Sequence, residues 1–355
     1  MYELLKSCAS APNGGGHCGK AALSIDGLTL PNPVFLAPMT GITDAPFRRL
    51  VAHLGAGLVI SEMTASACLL EGRREARRRA QGQGVGLHVV QLAGCEARWM
   101  AEGARIAAAE GADIIDINMG CPARQVTNGY AGSALMRDLD GALALIEATV
   151  KAVSIPVTLK MRLGWDERSL NAPDLARRAE SAGIRLVTVH GRTRCQFYGG
   201  TADWPAIRRV KAAVSIPVVA NGDVTSFDEA AAALAASGAD AIMVGRGAQG
   251  RPWFPGQLAR YLATGQRDAN PSLPQQYRLV AGLYEEMLEH HGVATGVRHA
   301  RKHLGWSIDV AAATAKVPDE IRRSVRTRVL TADEPAEARR RLAEGFDAFA
   351  VRAAA

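Results

Sequence analysis

A short apolar run followed by a stretch of helical composition recurs eight times in the first two-thirds of this 355-residue chain. The runs occupy positions 34–37, 57–61, 87–92, 113–118, 156–160, 186–190, 217–221 and 240–244. They are mostly apolar, rich in β-branched residues and without strict alternation, which is typical of strands in a parallel sheet buried on both faces. Several helical stretches end in glycine, at Gly111, Gly183 and Gly238, where a helix C-cap is expected.

Eight consecutive units of such even spacing predict an α/β fold, the (β/α)8 TIM barrel. The alternative is an open, doubly wound sheet, which seldom needs eight evenly spaced units. We therefore expect a closed barrel with helices on its outside.

The strand pattern stops after a helix near residue 262, and Gly265, Asn270, Pro271 and Pro274 mark a linker. Helices are predicted beyond it at 275–290, 297–310, 320–329 and 334–350. The sequence thus predicts a flexible N-terminal tail (1–20), a barrel domain (21–264) and a smaller all-α domain (274–355).

Basic residues are concentrated in two places. The chain has 42 Lys and Arg against 35 Asp and Glu, and between residues 298 and 328 eight basic residues accompany only three acidic ones. A second cluster follows the second strand and contains Arg73, Arg74, Arg77, Arg78 and Arg79. Such clusters indicate a polyanionic partner, and an ordinary solvated surface is the alternative.

Cysteine usage and hydropathy indicate the compartment. Six cysteines stand at positions 8, 18, 68, 95, 121 and 195, and none forms a CxxC pair. A chain of this length needs no disulfides, so we expect a reducing, cytoplasmic setting. The N-terminus lacks the apolar core of a signal peptide, and no run approaches the roughly 18 apolar residues of a membrane span. We expect no metal, no membrane association and a monomer.

Active sites of these barrels lie at the C-terminal ends of the strands. Polar or charged side chains follow nearly every predicted strand, namely Thr40, Glu62, Gln91, Asn118, Cys121, Lys160, Arg162, His190, Arg192, Arg194, Asn221, Asp223 and Arg246. Taken singly, any of them could be a capping or loop residue. A barrel face used only for stability has no reason to collect all of them, so the pattern predicts an active site at this mouth.

The loops after the last two strands predict a phosphate site, because glycines allow the backbone to approach an anion and Arg246 adds positive charge. These loops are 221–223 and 245–250. The second also has the spacing G-x-G-x-x-G of a dinucleotide fold. No further strand follows it in a strand–helix–strand unit, which favours the phosphate interpretation.

Two side chains at the mouth have chemistry of their own. Lys160 would point a cation into the mouth, or else pair with Glu62 or Asp116. Cys121 lies in a Gly-Cys-Pro turn, and a free thiol is mostly protonated at neutral pH because its ordinary pKa is about 8.5. It can therefore donate a proton, while an inert buried cysteine or a redox thiol are the alternatives.

Nine short motifs resemble one known family. They are 37–44 (APMTGITD), 61–63 (SEM), 116–122 (DINMGCP), 132–135 (GSAL), 158–162 (TLKMR), 190–194 (HGRTR), 221–223 (NGD), 245–246 with 249–253 (GR, QGRPW), and 300–303 with Trp306 (ARKH). From about Leu28 to Trp306 the chain resembles the tRNA-dihydrouridine synthases, most closely the bacterial B-type branch. The most specific feature is the NMGCP segment at its spacing from Lys160 and His190.

The resemblance implies an FMN-dependent enzyme that reduces uridine in tRNA and uses NADPH to reduce the flavin again. It implies that FMN is bound by Pro38, Met39, Thr40, Gln91, Lys160, His190, Asn221, Gly222, Asp223, Gly245 and Arg246. Cys121 would donate the proton to C5 of the uracil, and Asn118 would help to hold the base. We further expect Arg162, Arg192, Arg194, Arg301 and Lys302 to bind the tRNA. The chain departs from the family at Thr40, where a small Ala is common, and the match fades after Trp306.

Two other functions remain as alternatives. The first is a flavin barrel that reduces a small pyrimidine, like a dihydroorotate or dihydropyrimidine dehydrogenase, but such an enzyme does not need a basic helical domain. The second is a non-catalytic RNA-binding protein that has kept the barrel. The retained Cys121, Lys160 and Asn221 argue against it.

Overall fold

The computed structural model describes residues 23–353, so the predicted tail of residues 1–20 lies outside the described part. Its strands are β1 Ser24–Ile25, β2 Leu28–Thr29, β3 Val34–Leu36, β4 Leu58–Val59, β5 Thr64–Ala65, β6 Val89–Ala93, β7 Ile114–Met119, β8 Val157–Arg162, β9 Val187–His190, β10 Val218–Asn221 and β11 Ala241–Val244. Its α-helices are α1 Ala45–His53, α2 Ser66–Leu70, α3 Arg74–Ala80, α4 Ala97–Ala109, α5 Arg124–Thr127, α6 Leu139–Ala152, α7 Ala172–Ser181, α8 Trp204–Ala213, α9 Phe227–Ser237, α10 Phe254–Thr264, α11 Leu273–His291, α12 Val293–Thr314, α13 Asp319–Leu330 and α14 Pro335–Ala353. Two 3-10 helices span Gly132–Arg137 and Arg246–Ala248.

Nine strands form one parallel sheet in the order β4-β3-β11-β10-β9-β8-β7-β6-β5. A parallel bridge joins Ile60, just beyond β4, to Val89 at the start of β6. The backbone N–H of Ser61 also donates to the carbonyl of Val89 at 3.0 Å. The sheet therefore closes on itself. This confirms the predicted (β/α)8 barrel, and each of the eight predicted runs contains a strand.

Alternate residues of each strand face the barrel interior, and their character changes along the barrel axis. At the N-terminal ends the interior is an apolar cluster that includes Phe35, Leu58, Ile114, Val219 and Met243. Further along the strands the buried side chains become polar, as at Gln91, Asp116, Thr158, Thr188 and Asn221. The inward-facing residues of the strands thus form an apolar floor at one end of the barrel and a polar mouth at the other.

A small β-hairpin, β1 and β2, covers this floor. Its turn residues Asp26 and Gly27 both have positive φ, 49° and 87°, as a two-residue hairpin turn requires. The hairpin buries Ile25 completely, and Ile25 and Leu30 belong to the same apolar cluster as Phe35. The sequence analysis did not predict this hairpin, although the Asp-Gly pair is its signal.

The outer helices begin and end at residues that satisfy their backbone groups. The side chains of Asp44, Asp138 and Ser226 each accept a hydrogen bond from a backbone N–H in the first turn of α1, α6 and α9. Gly238 ends α9 in the left-handed conformation, as the sequence predicted. Within residues 23–353 no helix is both long and apolar enough to cross a membrane.

Helices α11 to α14 form a bundle that packs on α1 and on the loop after β11. The rings of Phe47 in α1 and His303 in α12 are 4.7 Å apart. Gly250 approaches α12 so closely that a Cβ atom there would lie 2.5 Å from the carbonyl oxygen of Trp306. One hydrophobic cluster runs through barrel and bundle, so their division into domains at residues 264 and 274 stays a prediction.

We predict that the hairpin of β1 and β2, which covers the floor of the barrel, stabilises the folded protein. Ile25→Ala should lower the free energy of unfolding by about 2–4 kcal/mol, because it removes buried methyl groups and leaves a cavity in the floor. Urea unfolding followed by circular dichroism measures this. The control Leu170→Ala deletes a side chain of equal size at a position that is 43% exposed, and it should change the value little. An equal decrease in the free energy of unfolding in the two variants would contradict a stabilising role of the hairpin.

Candidate active site

A chain of hydrogen bonds runs across three neighbouring strands at the barrel mouth. Its centre is the buried carboxylate of Asp116 in β7, which accepts from Thr158 Oγ1 in β8 at 2.7 Å. It also accepts from Gln91 Nε2 in β6 at 2.7 Å. Gln91 Oε1 in turn accepts from Asn118 Nδ2 at 2.7 Å. Because a carboxylate only accepts, this chain fixes which way each amide group points.

Asn118, the last residue of this hydrogen-bond chain, holds the turn that contains Cys121. Asn118 Oδ1 accepts from the backbone N–H groups of Gly120 and Cys121, at 3.2 and 3.0 Å. On its other side, the carbonyl of Cys121 accepts from Ser133 Oγ at 2.8 Å. Gly132 has a φ of 60°, and a Cβ there would lie 2.9 Å from the same carbonyl. The partly exposed thiol is therefore mounted on a backbone that is hydrogen-bonded from both sides.

Burial raises the pKa of Asp116, and the hydrogen bonds from Gln91 and Thr158 oppose that rise. Lys160 adds an opposing positive charge from the neighbouring strand. Burying this carboxylate costs free energy, and the hydrogen bonds and the charge of its neighbours offset that cost. The carboxylate itself has no contact with solvent.

Lys160 in β8 points across the mouth to β10. Its Nζ atom donates to Asn221 Oδ1 at 3.0 Å, and Asn221 Nδ2 donates to the carbonyl of Met243 at 2.9 Å. Burial lowers the pKa of Lys160 to about 8, and the nearby Asp116 carboxylate limits the fall. The pairing with Glu62 that the sequence left open does not form, since Glu62 accepts from the backbone N–H of Gly41.

His190, at the end of β9, lies among positive charges. Burial lowers its pKa well below the usual value, and Lys160, Arg162, Arg192 and Arg246 lower it further. The imidazole is therefore neutral near pH 7 and acts as a hydrogen-bonding group without charge.

The two loops that were predicted to bind phosphate lie side by side. Asp223 accepts from Arg192 at 2.5 and 2.9 Å and from Arg246 at 2.7 Å. Burial raises the pKa of Asp223, but the hydrogen bonds and charges of its partners outweigh this and hold the pKa below the usual value. Gly222 has a φ of 120° and no room for a Cβ, which would lie 2.9 Å from the ring of His190. Arg246 keeps 53% of its side chain exposed.

Three arginines, one at the end of β8 and two in the loop after β9, differ in their surroundings. Arg162 and Arg192 are each 1% exposed. Arg162 donates to the carbonyls of Gly120, Thr193 and Phe197, and Arg192 donates to those of Gly199 and Gly200. Both therefore hold loops of the mouth together, and their predicted binding of tRNA stays a prediction. Arg194 is less buried, and its guanidinium lies 4.6 Å from the centre of the Trp165 ring.

The remaining predicted residues come from α12 and from the loop after β3. Arg301 and Lys302 are exposed on α12. A Cβ built on Gly41 would lie 3.3 Å from Lys302 Nζ, so the bundle brings this lysine to the rim of the mouth. Pro38 and Met39 are partly buried there, Thr40 is exposed, and Met39 Sδ would lie 3.6 Å from a Cβ on Gly245. The structure thus gathers the predicted cofactor residues around one opening.

Sequence reasoning missed several residues of this site. The motifs included Thr158, Ser133 and Asp116 without assigning them a role in the site, apart from Asp116 as a possible partner of Lys160. An aromatic rim was also missed, where Tyr130, Phe197 and Tyr198 are 72%, 39% and 55% exposed. Counting alternate positions back from Asn118 and Lys160 would have found Asp116 and Thr158. No local signal identifies the rim.

Fold and mouth together define a (β/α)8-barrel enzyme with a preorganised polar site at the C-terminal ends of its strands. A family model described as Dihydrouridine synthase matches residues 35–341. With this match and the relatives below, the chain belongs to the dihydrouridine synthase family.

Relatives from several bacteria are similar over most of their length. A probable tRNA-dihydrouridine synthase of Rhizobium leguminosarum bv. phaseoli is 53% identical over 324 residues, which cover 91% of this chain and 98% of the relative. One from Rhodobacter capsulatus is 56% identical and covers 82% of this chain and 90% of its own. The tRNA-dihydrouridine synthase B of Xanthomonas campestris pv. campestris is 49% identical over 80% of this chain and 86% of its own.

Two solved structures share the fold at low sequence identity. Histamine dehydrogenase from Rhizobium sp. 4-9 aligns with a TM-score of 0.52 and 16% identity over 75% of this chain and 50% of that one. A 2-naphthoyl-CoA reductase aligns with a TM-score of 0.53 and 13% identity over 70% of this chain and 52% of that one. The chain spans about half the length of these two proteins, and the likeness concerns the fold alone.

We predict a pH-dependent contribution of Lys160 to stability. Its pKa of about 8 in the folded protein is below the ordinary value of 10.5, so the unfolded chain binds more protons between these values. Relative to Lys160→Met, the free energy of unfolding of the native protein should rise between pH 8 and pH 10.5, by about 1–3 kcal/mol.

Denaturant unfolding at several pH values measures this difference. Lys151→Met is the matched control, since Lys151 lies on the barrel exterior with 75% of its side chain exposed. A difference between native protein and Lys160→Met that stays constant with pH would show that the Lys160 amine is not perturbed by burial.

Proposed function

We propose that this protein reduces the C5–C6 double bond of uridines in tRNA to 5,6-dihydrouridine, with FMN bound in the barrel mouth and NADPH as the reductant. The observation that carries the proposal is the hydrogen-bond chain from Thr158 through Asp116, Gln91 and Asn118 to the turn of Cys121. It holds a thiol at the mouth of a barrel that belongs to the dihydrouridine synthase family.

The residues of the mouth fit a flavin phosphate and an electron-rich ring. Arg246 offers an exposed cation beside Gly222 and Gly245, neither of which has a side chain that would keep a phosphate away. Lys160 offers a cation deeper in the mouth, held towards Asn221. When bound, reduced FMN supplies a hydride for C6 of the uracil, and a cation such as Lys160 favours the anionic form of the reduced ring.

The protein's own contribution to the reaction is a proton at C5. Cys121 is partly exposed, and Asn118 and Ser133 fix its backbone. Its Sγ atom is therefore held in one place, where it can donate a proton to C5 of a bound uracil. The S–H bond breaks, the proton forms the new C5–H bond, and the remaining thiolate is protonated again from solvent. The amide oxygen of Asn118 accepts from two backbone N–H groups of the turn, and one N–H of its amide nitrogen donates to Gln91. The second N–H of that nitrogen remains to hold the base.

A uridine in folded tRNA has to leave its stack before it can enter this mouth. The exposed rings of Tyr130, Phe197 and Tyr198 provide apolar faces at the rim, and the guanidinium of Arg162 lies 5.6 Å from the centre of the Tyr198 ring. Stacking on such rings stabilises an extruded base without reading its sequence. We infer that this rim receives the uridine and its neighbours.

The tRNA backbone would follow the positive charges that have no acidic partner. In the bundle many arginines are already paired, as Arg322 and Arg326 are with Asp309, and Arg323 is with Asp319. Part of the positive charge counted for residues 298–328 is therefore neutralised by acids within the bundle, and only the rest remains for contacts with phosphates. Among the residues that the structure describes, Arg298, Arg301 and Lys302 on α12 have no acidic partner within ion-pair distance, and they are the better candidates for phosphate contacts.

A basic groove of about 400 Å3 continues this surface between α3 and the end of α11. It is lined by Gly72, Arg74, Arg77, Arg78, Gln81 and His290. The second arginine cluster of the sequence thus meets the bundle here. Arg77 and Arg78 are paired with Glu110 and Glu75, whereas Arg74 has no acidic partner among the described residues. A path from the mouth past Lys302 into this groove would let one RNA strand contact α12 and Arg74.

We predict that Cys121→Ala separates the two halves of the reaction. Bound flavin and its reduction by NADPH should persist, while formation of dihydrouridine in tRNA should fall by about 100-fold or more, since the C5 proton donor is lost. Flavin released on denaturation, NADPH oxidation and dihydrouridine in the tRNA are measured on the same preparation. Cys95→Ala, at an exposed cysteine in the loop between β6 and α4, is the matched control.

Normal turnover of tRNA by Cys121→Ala would remove this residue from the mechanism. A protein that holds no flavin would contradict the cofactor assignment. Activity on free uridine that equals activity on tRNA would favour the small-pyrimidine alternative.

We predict that unpaired charge on α12 controls tRNA affinity. The double variant Arg301→Glu/Lys302→Glu should raise the tRNA Kd roughly tenfold and lower the slope of log Kd against log salt by about 1–2. The control Arg323→Glu/Arg340→Glu makes the same change in net charge at paired, exposed positions of the bundle, and its effect should be smaller. Filter binding at several salt concentrations compares them, and equal effects would mean that only net charge matters.

A further inference from the structure

Four of the eight histidines of this chain lie at the junction between the barrel and the bundle. Two of them, His290 and His291, end α11, and the other two, His299 and His303, lie one turn apart on α12. The His291 ring centre is 4.6 Å from that of His290 and 4.5 Å from that of His299. Asp44, the N-cap of α1, reaches this cluster from the barrel.

We propose that Asp44, His291 and His299 bind a divalent transition-metal ion, with Zn²⁺ as the expected occupant. Each residue offers one ligand atom, and these atoms all lie within 4.8 Å of one another. Two imidazole nitrogens and one carboxylate oxygen are a donor set that suits Zn²⁺, which binds such atoms tetrahedrally and takes water as a fourth ligand.

An unpartnered atom at the cluster supports this. The side chains of His291 and Asp44 are only 3% and 4% exposed, and His291 Nε2 lies 2.7 Å from Asp44 Oδ2. The other ring nitrogen, His291 Nδ1, is buried and has no hydrogen-bond partner among residues 23–353. A buried ring nitrogen without a partner is costly, whereas a metal ion would use its lone pair.

The same geometry limits how the ion would fit. If His291 keeps its hydrogen bond to Asp44, the carboxylate orients the ring through Nε2 and leaves Nδ1 to the metal. If Asp44 is a direct ligand, its oxygen and Nε2 have to separate, because ligand atoms at ~2.1 Å from a tetrahedral ion are about 3.4 Å apart. This separation has to come from the side chains of Asp44 and His291 themselves, because His299 takes no part in their hydrogen bond.

The site has a consequence for the architecture. Asp44 begins α1 at the barrel mouth, whereas His291 and His299 belong to the bundle, 247 residues away for the Asp44–His291 pair. A metal ion there would join the two parts next to Lys302 and to the basic groove. The sequence predicted no metal, since these ligands form no local ligand pattern. The inference goes beyond the proposed function and does not depend on it, because metal uptake requires neither tRNA nor flavin.

Metal uptake by the purified full-length protein tests the inference. After treatment with a chelator and buffer exchange, the protein should take up one Zn²⁺ per chain, as measured by mass spectrometry of metal content and by competition with a chromophoric chelator. His291→Ala and His299→Ala should each weaken Zn²⁺ binding by at least about tenfold. Added Zn²⁺ should raise the Tm of the native protein, since an ion that binds only the folded state stabilises it.

Two further variants separate metal binding from folding. Asp44→Asn keeps an N-cap for α1, so it should fold, yet its Zn²⁺ affinity should fall and Zn²⁺ should no longer raise its Tm. His53→Ala removes an exposed histidine at the other end of α1 and should bind Zn²⁺ like the native protein. Absence of uptake at micromolar Zn²⁺, or equal affinity in all variants, would overturn the proposal and leave an Asp–His hydrogen bond with water at Nδ1.

Discussion

The buried carboxylate of Asp116 is the constraint on which the mouth depends. It lies inside a barrel whose floor is apolar, and burial would make it untenable without Gln91 and Thr158, which donate to its two oxygens. Those bonds connect β6, β7 and β8, and through Asn118 they set the backbone of the Cys121 turn. An acidic group that never meets solvent thus orients a thiol that does.

The second requirement is the docking of the helical bundle at the barrel mouth. His291 contacts Asp44, the ring nitrogen of His303 lies 3.1 Å from the carbonyl of Ile42, and Arg49 pairs with Glu286. With Gly250 against Trp306, these contacts fix where α12 lies. They bring Lys302 to Gly41, so charge on a distant part of the chain becomes part of the rim.

Much of the fold could be predicted because it depends on local pattern. Each of the eight predicted runs contains a strand, and α11 to α14 begin and end within a few residues of their predicted positions. The hairpin of β1 and β2 was missed because strands of two residues are too short for any periodic signal. In the site, the rule that active-site residues lie at strand ends pointed to Gln91, Lys160 and Asn221. Thr158 and Asp116 lie two residues before Lys160 and Asn118, inside the strands, and the rule did not identify them.

The sequence by itself determined the barrel, the bundle and the motifs of the family, because strand period, helix period and short motifs are properties of neighbouring residues. Only the tertiary structure decided what each charged side chain does. Arg162 and Arg192 are bound to loop carbonyls, Arg322 is paired with acids, and Arg301 is left without an acidic partner in the described chain. The physical reason is that a charge is neutralised by whatever lies within a few ångströms of it, and those neighbours come from distant parts of the sequence.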